Sequence, residues 1–442
     1  MSRALDVAIY ELEKRGVEYV DVLFTSITGR THMLSIPAAE VEDAVRGGVG
    51  FDGSSVGFLG VEESDLLLKP DPSTLRIIEK NSPSGRPLAV MIGDVFRGAS
   101  RYELDPRYIL EKKLRELESI VSGAAYMVAP EIEFWLFVEK NGDVDFQDRA
   151  SYMYPPPADK GYDVRLDIAS ALSEAGIKPV KIHHEVPPAK HEIDFQFSDA
   201  LHTADNTIIY KYIVRRIAGS KGLIASFMPK PFHGTYGAGM HTHQSLYNVK
   251  RGENLFDGGE LYGLSRTALY FIGGLLRYAK AITVATNPTV NSYKRLVPGW
   301  EAPVYITWAR YNRSALIRVP MASSAKAKRI EYRATDGSCN PYLAYSAMLQ
   351  AGLTGIREKL EPSTPIEENV YAMSLEERER EGIEVLPSNL GEAIREALEN
   401  PILEQAWGRK AFERYIEFRR REWFEFSVTV HKWEREKYLE YW

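Results

Sequence analysis

Apolar residues recur at helical spacing over 4–15 and then alternate as in strands from Val17 to Ile36, around the turn Thr28-Gly29-Arg30. A short helix is predicted over 38–46, stopped by the glycines at 47, 48 and 50, and Leu88 to Phe96 reads as an apolar strand. Asp105-Pro106-Arg107 opens a helix that runs to about residue 121. Further strands are predicted at 127–137, 179–185, 192–198, 222–228, 240–247, 302–308, 313–319 and 329–333. Helices are predicted at 163–175, 202–219, 263–285, 341–358, 390–399, 402–420 and 422–440, with 360–388 as a charged, proline-containing surface excursion. Strands do not alternate regularly with helices, which argues for an α+β chain over a doubly wound parallel sheet. The pattern divides into a small N-terminal domain, 1–103, and a large second domain, 104–442, as the length also leads one to expect.

The chemistry lies where charge interrupts that apolar pattern. In Val128-Ala129-Pro130-Glu131-Ile132-Glu133-Phe134-Trp135, two glutamates two residues apart point to one sheet face. An unpaired carboxylate among such neighbours costs several kcal/mol, on the order of the price of burying any lone charge, so a cation is required. The requirement recurs. Glu185 follows His183-His184, Glu192 opens the next strand, His241 and His243 share a face, and Glu331 sits between Arg329 and Arg333. Seven of the nine histidines fall between residues 183 and 243, which separates them from scattered core histidines. Five glutamates and one imidazole suit a hard divalent ion, Mg²⁺ or Mn²⁺, better than zinc. Arg295, Arg310, Arg313, Arg318, Arg329 and Arg333 lie within 39 residues, several alternating with apolar neighbours as inward clamps for phosphate or carboxylate would. Metal-assisted phosphoryl transfer to an anionic substrate is the reaction class these residues point to. A GxxxxGK[ST] loop is absent, as is a dinucleotide fingerprint.

Composition narrows the partners. A net charge of −6 favours neither nucleic acid nor an anionic membrane. The longest apolar stretch, Ala268 to Thr286, contains Arg277 and Lys280 and reads as a buried helix. The segment Ala4–Arg15 has no uninterrupted apolar run, so a signal peptide is not expected, and one cysteine, Cys339, suits a reducing cytoplasm.

Longer motifs carry a resemblance that covers essentially the whole chain. They include Phe51-Asp52-Gly53-Ser54-Ser55 with Glu62-Glu63-Ser64-Asp65, Pro130-Glu131-Ile132-Glu133, His183-His184-Glu185-Val186, His191-Glu192-Ile193-Asp194 and Gly239-Met240-His241-Thr242-His243. Asn287 to Pro303, Asn312-Arg313-Ser314, Ile317-Arg318-Val319-Pro320 and Asn340-Pro341-Tyr342-Leu343 complete the set. Together they resemble the type I glutamine synthetase family. The resemblance implies a β-grasp-like N-terminal domain and a catalytic domain with a curved antiparallel sheet flanked by helices. It implies ligation of ammonia to the γ-carboxylate of L-glutamate, with ATP, through γ-glutamyl phosphate, using two or three Mg²⁺ (or Mn²⁺) per site. One metal would rest on Glu133, Glu185 and Glu192, the other on Glu131, His241 and Glu331. Glutamate would be held by Arg295, Arg333, Tyr236 and Gly237, and ATP by Phe197, His243, Ser245, Arg318, Lys326 and Arg329, with Arg313 on the moving phosphoryl group. Asp52, Ser55, Asp65, Tyr152 and Glu301 would form the ammonium side, Asp52 taking a proton and Glu301 closing over the intermediate. The family arrangement implies two stacked hexameric rings, with Asp52 serving the neighbouring subunit's site and the segment Trp423–Trp442 suited to contact between rings.

Departures from the family pattern sharpen the alternative. Tyr236 replaces the usual asparagine, Pro187-Pro188-Ala189-Lys190 replaces Ala-Pro-Gly-Gln, and Ala334-Thr335-Asp336-Gly337 replaces Phe-Pro-Asp-Pro. Such changes suit a ligase of glutamate with a polyamine or ethanolamine, whereas retention of Asp52, Tyr152 and Glu301 suits ammonia. Tyr371 falls where some members are adenylylated, but its surroundings resemble the unmodified subtype, and Gly60 stands where that subtype's feedback-sensing arginine would be. No adenylylation is expected.

Overall fold

The computed structural model describes residues 2–58 and 64–440; Gly60, Glu62, Glu63 and Trp442 lie outside the described residues. The chain begins with α1 (Ser2–Lys14), the hairpin β1 (Tyr19–Thr25) and β2 (Thr31–Pro37), and α2 (Val41–Gly47). It continues through β3 (Val49–Asp52), β4 (Asp65–Pro70), β5 (Arg76–Ile78), β6 (Leu88–Arg97) and β7 (Ser100–Arg101). These strands make one sheet, ordered β2-β1-β6-β4-β3, with β5 and β7 also on β6. Only β1 and β6 run parallel; the other pairs are antiparallel. The hydrophobic residues of β1 and β6, among them Val20, Val22, Ala89, Val90 and Met91, are buried in a core to which Leu5, Ala8 and Leu12 of α1 and Val41, Ala44 and Val45 of α2 also belong.

Next come α3 (Pro106–Ile120), β8 (Ala124–Lys140), β9 (Asp143–Phe146), α4 (Tyr162–Glu174), β10 (Pro179–His184), β11 (Lys190–Phe195) and β12 (Ser198–Asp199). They are followed by α5 (Ala200–Ser220), β13 (Ile224–Ser226), β14 (Met240–Asn248), β15 (Glu253–Asn254), α6 (Arg266–Arg277), α7 (Ala279–Thr286) and α8 (Ser292–Arg295). β16 (Tyr305–Ala309), β17 (Ala315–Arg318) and β18 (Ile330–Tyr332) close the second sheet, and the rest is helical: α9 (Pro341–Glu358), α10 (Leu375–Arg380), α11 (Leu390–Leu398), α12 (Ile402–Trp407), α13 (Arg409–Val428) and α14 (Lys432–Tyr438). The second sheet is ordered β10-β11-β8-β14-β18-β17-β16, with β9, β12 and β13 on β8 and β15 on β14. It is antiparallel except for β16 against β17. Its spine is β8, long enough to take partners along its whole length on both edges.

Local chemistry fixes the long helices. Asp105 accepts from the Arg107 amide and Pro106 occupies the first turn of α3; Asn340 and Pro341 play the same parts at α9. Helix α9 is buried almost end to end and packs against α3, α5, α6, α7 and α12. Arg107, on α3, joins the first sheet to α5 electrostatically. Its Nε and Nη2 donate to Asp205 on α5 at 3.0 and 2.9 Å, Nη1 to Asp94 on β6 at 2.7 Å, and Nη2 to Asp71 at 2.9 Å.

Several elements differ from the periodicity-based expectation. The helix expected over 263–285 is two, α6 and α7, bent by 78°, and no single helix among the described residues is long and apolar enough to cross a membrane. The terminal break lies at Gly408, whose φ of 85° ends α12, so that α13 runs unbroken through residue 421. The 360–388 segment is anchored to the sheet: the Ile366 amide donates to the Trp308 carbonyl, Val370 is fully buried, and Val385 bridges Tyr305.

Candidate functional site

Strand register turns the charged positions into one surface. On β8, Glu131 and Glu133 share a face. β11 sets Glu192 opposite Glu133 and β10 sets His183 opposite Glu192. On the other edge β14 sets His241 opposite Glu131, β18 sets Glu331 opposite His243, and β17 sets Arg318 opposite Glu331. Residues scattered over two hundred positions therefore meet because antiparallel pairing with a period of two leaves each no other face to occupy.

Glu131, His241 and Glu331 form a compact set whose candidate ligand atoms lie within 4.8 Å of one another. His241 Nδ1 is 3.3 Å from Glu131 Oε2 and 3.6 Å from Glu331 Oε1. His243 Nε2 lies 2.8 Å from the other Glu131 oxygen, and Arg329 Nε donates to His243 Nδ1 at 3.3 Å. Arg318 Nε and Arg333 Nε donate to Glu331 at 2.5 and 3.2 Å. Burial opposes ionisation of Glu131, but His241 and His243 hold its carboxyl well below the usual range; for Glu331 the same burial is overcome by His243 and Arg333. Both carboxylates are therefore ready as anionic oxygen donors, and with His241 they make a fitting set for a hard divalent ion.

The neighbouring set is built differently. Glu185 and Glu192 come together with His183, again within 4.8 Å. Glu133 instead accepts from Lys190 Nζ at 2.9 Å and from the Gly239 amide at 2.6 Å, and Lys190 Nζ stands 3.8 Å from Glu185. Lys181 bonds Glu192 at 2.9 Å and Asp194 at 3.1 Å. Burial and the nearby Glu133 charge push Glu185 up to about 7. Behind these strands, Asp148, His184, His191, Arg165 and Asp159 form a buried network: His184 Nε2 is 2.9 Å from Asp148, and Arg165 reaches His191 Nδ1 at 2.8 Å and Asp159 at 2.5 Å. With a guanidinium already inside it, this group is a scaffold for the β10–β11 hairpin and its adjoining loop.

Two cavities flank the carboxylates. The larger, about 450 Å³, is lined by Glu131, Asp194, Phe197, His243, Ser245, Lys326, Lys328 and Arg329 beside apolar residues of β8. Every residue expected to hold nucleotide lines it except Arg318, which reaches the same face through Glu331. Phe197 offers an exposed ring. The smaller cavity, about 50 Å³, is lined by Glu133, Glu185, Lys190, Tyr236, Gly237, His241, Arg295, Trp300, Glu301 and Arg333. Arg295 is buried with its guanidinium on the carbonyls of Arg333 and Ala334 at 3.1 and 2.5 Å. A Cβ on Gly237 would come within 2.6 Å of the Arg295 side chain, and one on Gly239 within 2.7 Å of its Nη2, so the loop can pass Arg295 only as glycine. Tyr236 meets Trp300 edge to face at 5.7 Å, and Lys230 Nζ stands 4.5 Å over the Trp300 ring.

The remaining expected residues lie at the rim or elsewhere. Glu301 has a φ of 55° in an exposed loop, a left-handed conformation rare for glutamate. Tyr371, half-buried, donates its hydroxyl to the Ala302 carbonyl at 2.6 Å, tying down that loop. Arg313 is exposed between β16 and β17, and its carbonyl accepts from Arg333. Tyr152 is exposed with its ring edge on His183 at 5.4 Å. Asp52 ends β3, where Ser55 and Ser54 donate to it and hold its carboxyl down at about 2; Asp65 is its register partner on β4. Among the described residues, no hydrogen bond, ion pair or ring contact joins Asp52, Ser55 or Asp65 to the glutamate-lined face of the same chain. Three contributors escaped the sequence reading as site residues: His183, Lys181 and Lys190. Alternation was the available signal, since 181, 183 and 185 share a face, as do 190 and 192.

Comparison with known proteins agrees with this architecture. Residues 16–98 match the model for the glutamine synthetase β-grasp domain and residues 103–438 that for the glutamine synthetase catalytic domain. The chain is 45% identical to the glutamine synthetase of Pyrococcus horikoshii, over 97% of both chains. A GmaS/ADP complex superposes with a TM-score of 0.89 at 31% identity, over 98% of this chain and 99% of that one. Plasmodium falciparum glutamine synthetase superposes at 0.86 and 25% identity, over 98% of each. With both domains matched in order around a carboxylate-lined face, the chain belongs to the glutamine synthetase family.

Proposed function

We propose that this chain is a glutamate–ammonia ligase that activates the γ-carboxylate of L-glutamate with ATP and releases glutamine. The observation carrying the reading is that the two cavities share one wall: Glu131 and His243 line the larger, while His241, hydrogen-bonded to Glu131, and Glu133, two residues along β8 on the same face, line the smaller. A nucleotide on one side thus presents its terminal phosphate toward a small acid on the other.

In this reading Phe197 stacks on adenine, and Arg318, Arg329, Lys326, His243 and Ser245 face the phosphates. Arg295 and Arg333 orient glutamate through its carboxylates, and the Gly237 backbone and Tyr236 border its amino-acid end. The γ-carboxylate oxygen attacks the γ-phosphorus, the bond to the β-phosphate oxygen breaks, and Arg313 offsets the charge on the moving group. A divalent ion held by Glu131, His241 and Glu331, Mg²⁺ or Mn²⁺, supplies electrostatic stabilisation of phosphate charge when bound. Asp52, kept ionised across the neutral range by its serine donors, attracts ammonium and takes its proton; the ammonia nitrogen then attacks the acyl carbon and phosphate leaves. Glu301 and Tyr152 complete the ammonium side, and Glu301 keeps water from the acyl phosphate.

Because Asp52, Ser55 and Asp65 do not reach this face in their own chain, they serve a neighbouring subunit's site, in an assembly of two stacked six-membered rings. The exposed Phe424, Val428, Val430, Trp433 and Leu439 suit contact between rings. Sedimentation as a species much smaller than twelve subunits would remove this part. The natural division of the chain is 1–103 and 104–442, and a reducing cytoplasm suits its buried thiol Cys339.

The deciding assay is phosphate release from ATP and glutamate with ammonium, set beside a panel of polyamines, ethanolamine and small alkylamines. Turnover with ammonium is the expected result; turnover only with a larger amine would transfer the reading to an amine ligase of the same fold. Removal of the Phe197 ring tests the nucleotide assignment. Base–aromatic stacking is worth about 1–3 kcal/mol, so Phe197→Ala is expected to raise the Kd for ATP roughly 5- to 150-fold in a titration without glutamate. An unchanged Kd would place adenine elsewhere.

A further inference from the structure

We propose that Lys190 is a resident cation of the active site, supplying to Glu133 the positive charge that a second divalent ion would otherwise bring, so that Glu133 is not a metal ligand in this chain. This rests on the metal-dependent ligase reading above. Lys190 Nζ donates to Glu133 Oε2 at 2.9 Å and to the Gly237 carbonyl at 2.9 Å, and stands 3.8 Å from Glu185 Oε2 as an ion pair. Two of the ammonium's three N–H donors are thereby engaged, both by buried oxygens of the site. Glu133 Oε2 also accepts from the Gly239 amide at 2.6 Å, which uses the remaining capacity of that oxygen. Both side chains are buried, 5% and 9% exposed, so water screens neither the attraction between them nor the repulsion an added ion would meet.

The backbone aims this side chain at the site. Lys190 is the first residue of β11, two before Glu192, and so projects onto the same face as the glutamates. The turn that delivers it is rigid: Ala189 has a φ of 55° and its amide donates to the buried Asp148, while the Glu185 amide donates to the Lys190 carbonyl at 2.8 Å. Moving out to solvent would cost the buried ammonium its bonds to Glu133 and to the Gly237 carbonyl. Glu331 also accepts from Arg318 and Arg333 yet keeps its place in a compact ligand set with Glu131 and His241, whereas Glu133, its Oε2 taken by Lys190 and the Gly239 amide, falls in no such set among the described residues. The Gly237 carbonyl, which borders the small cavity, is engaged by the same ammonium, so Lys190 also rigidifies the loop bearing Tyr236.

Mn²⁺ bound per subunit, measured by equilibrium dialysis of the intact assembly without ATP or glutamate, tests this apart from catalysis. Lys190→Gln is expected to bind one more ion per subunit than the wild type, and the gain is expected to vanish when Glu133→Gln is added. Equal counts in the wild type and Lys190→Gln overturn the proposal. If Lys190→Gln does not fold, Glu133→Gln alone decides: an unchanged count supports the resident lysine, and loss of one ion overturns it. Because no turnover is involved, an enzyme that failed to make glutamine would leave this count interpretable.

Discussion

Replacing Arg107 with alanine is expected to destabilise the folded chain by about 3–5 kcal/mol, the range for removing one partner of a buried charge pair. Arg107 is 6% exposed and its guanidinium makes four hydrogen bonds, to Asp205, Asp94 and Asp71, which belong to different parts of the fold: α5 of the large domain, β6 of the small one, and the connection after β4. The fork of the guanidinium matches two carboxylates at once, so lysine is not a substitute. Arg101 remains on Asp94, at 2.9 Å, but Asp205 keeps only the Tyr342 hydroxyl, at 2.7 Å. The uncompensated carboxylate of Asp205 is therefore the main source of the loss. Urea unfolding at fixed protein concentration measures it, because assembly makes apparent stability concentration-dependent. An Arg107→Lys variant recovering more than half of the loss, or an alanine variant losing less than about 1 kcal/mol as surface pairs do, would contradict the account. Since the two domains are joined here, the alanine variant should also expose the seam between β7 and α3 to proteolysis.

The second large effect concerns chemistry alone. Arg313→Ala is expected to lower kcat by about 10²–10³-fold, as loss of one preorganised donor to developing charge does, while the Kd for ATP changes little. The side chain is exposed in the loop between β16 and β17 and makes no hydrogen bond or ion pair among those seen, so truncation should leave the fold intact. Its backbone is nevertheless fixed, because the Arg313 carbonyl accepts from Arg333, a side chain that also holds Glu331. An exposed guanidinium on a tethered loop suits a group that must meet charge only as the phosphoryl moves. The split is diagnostic: an interaction confined to the transition state lowers kcat and kcat/KM together, whereas ground-state binding raises KM. A kcat within threefold of wild type, or a loss residing wholly in KM for ATP, would take Arg313 out of its assigned part.

Much of the site was legible because strand periodicity is a local property. Glu131 and Glu133, or His241 and His243, must share a face whatever the rest of the chain does. Long helices with strong end signals, such as α3 behind Asp105-Pro106 and α9 behind Asn340-Pro341, were equally legible. The short strands β3, β4, β5 and β9 were not, since runs of three to six residues with intermediate burial carry too little pattern. The bend between α6 and α7 is invisible in sequence because the two helices read as one largely apolar stretch and no proline or side-chain cap marks the break.

What the sequence determined by itself, then, is which residues share a face and that their buried charge needs a counter-charge; that follows from backbone geometry and the cost of desolvation. Only the tertiary structure decided which counter-charge each one received. Register set His241 and Glu331 beside Glu131 and left room for an ion, while the β10–β11 turn aimed Lys190 at Glu133. Pairing partners and turn direction arise from contacts between segments far apart in the chain, and no local pattern contains them.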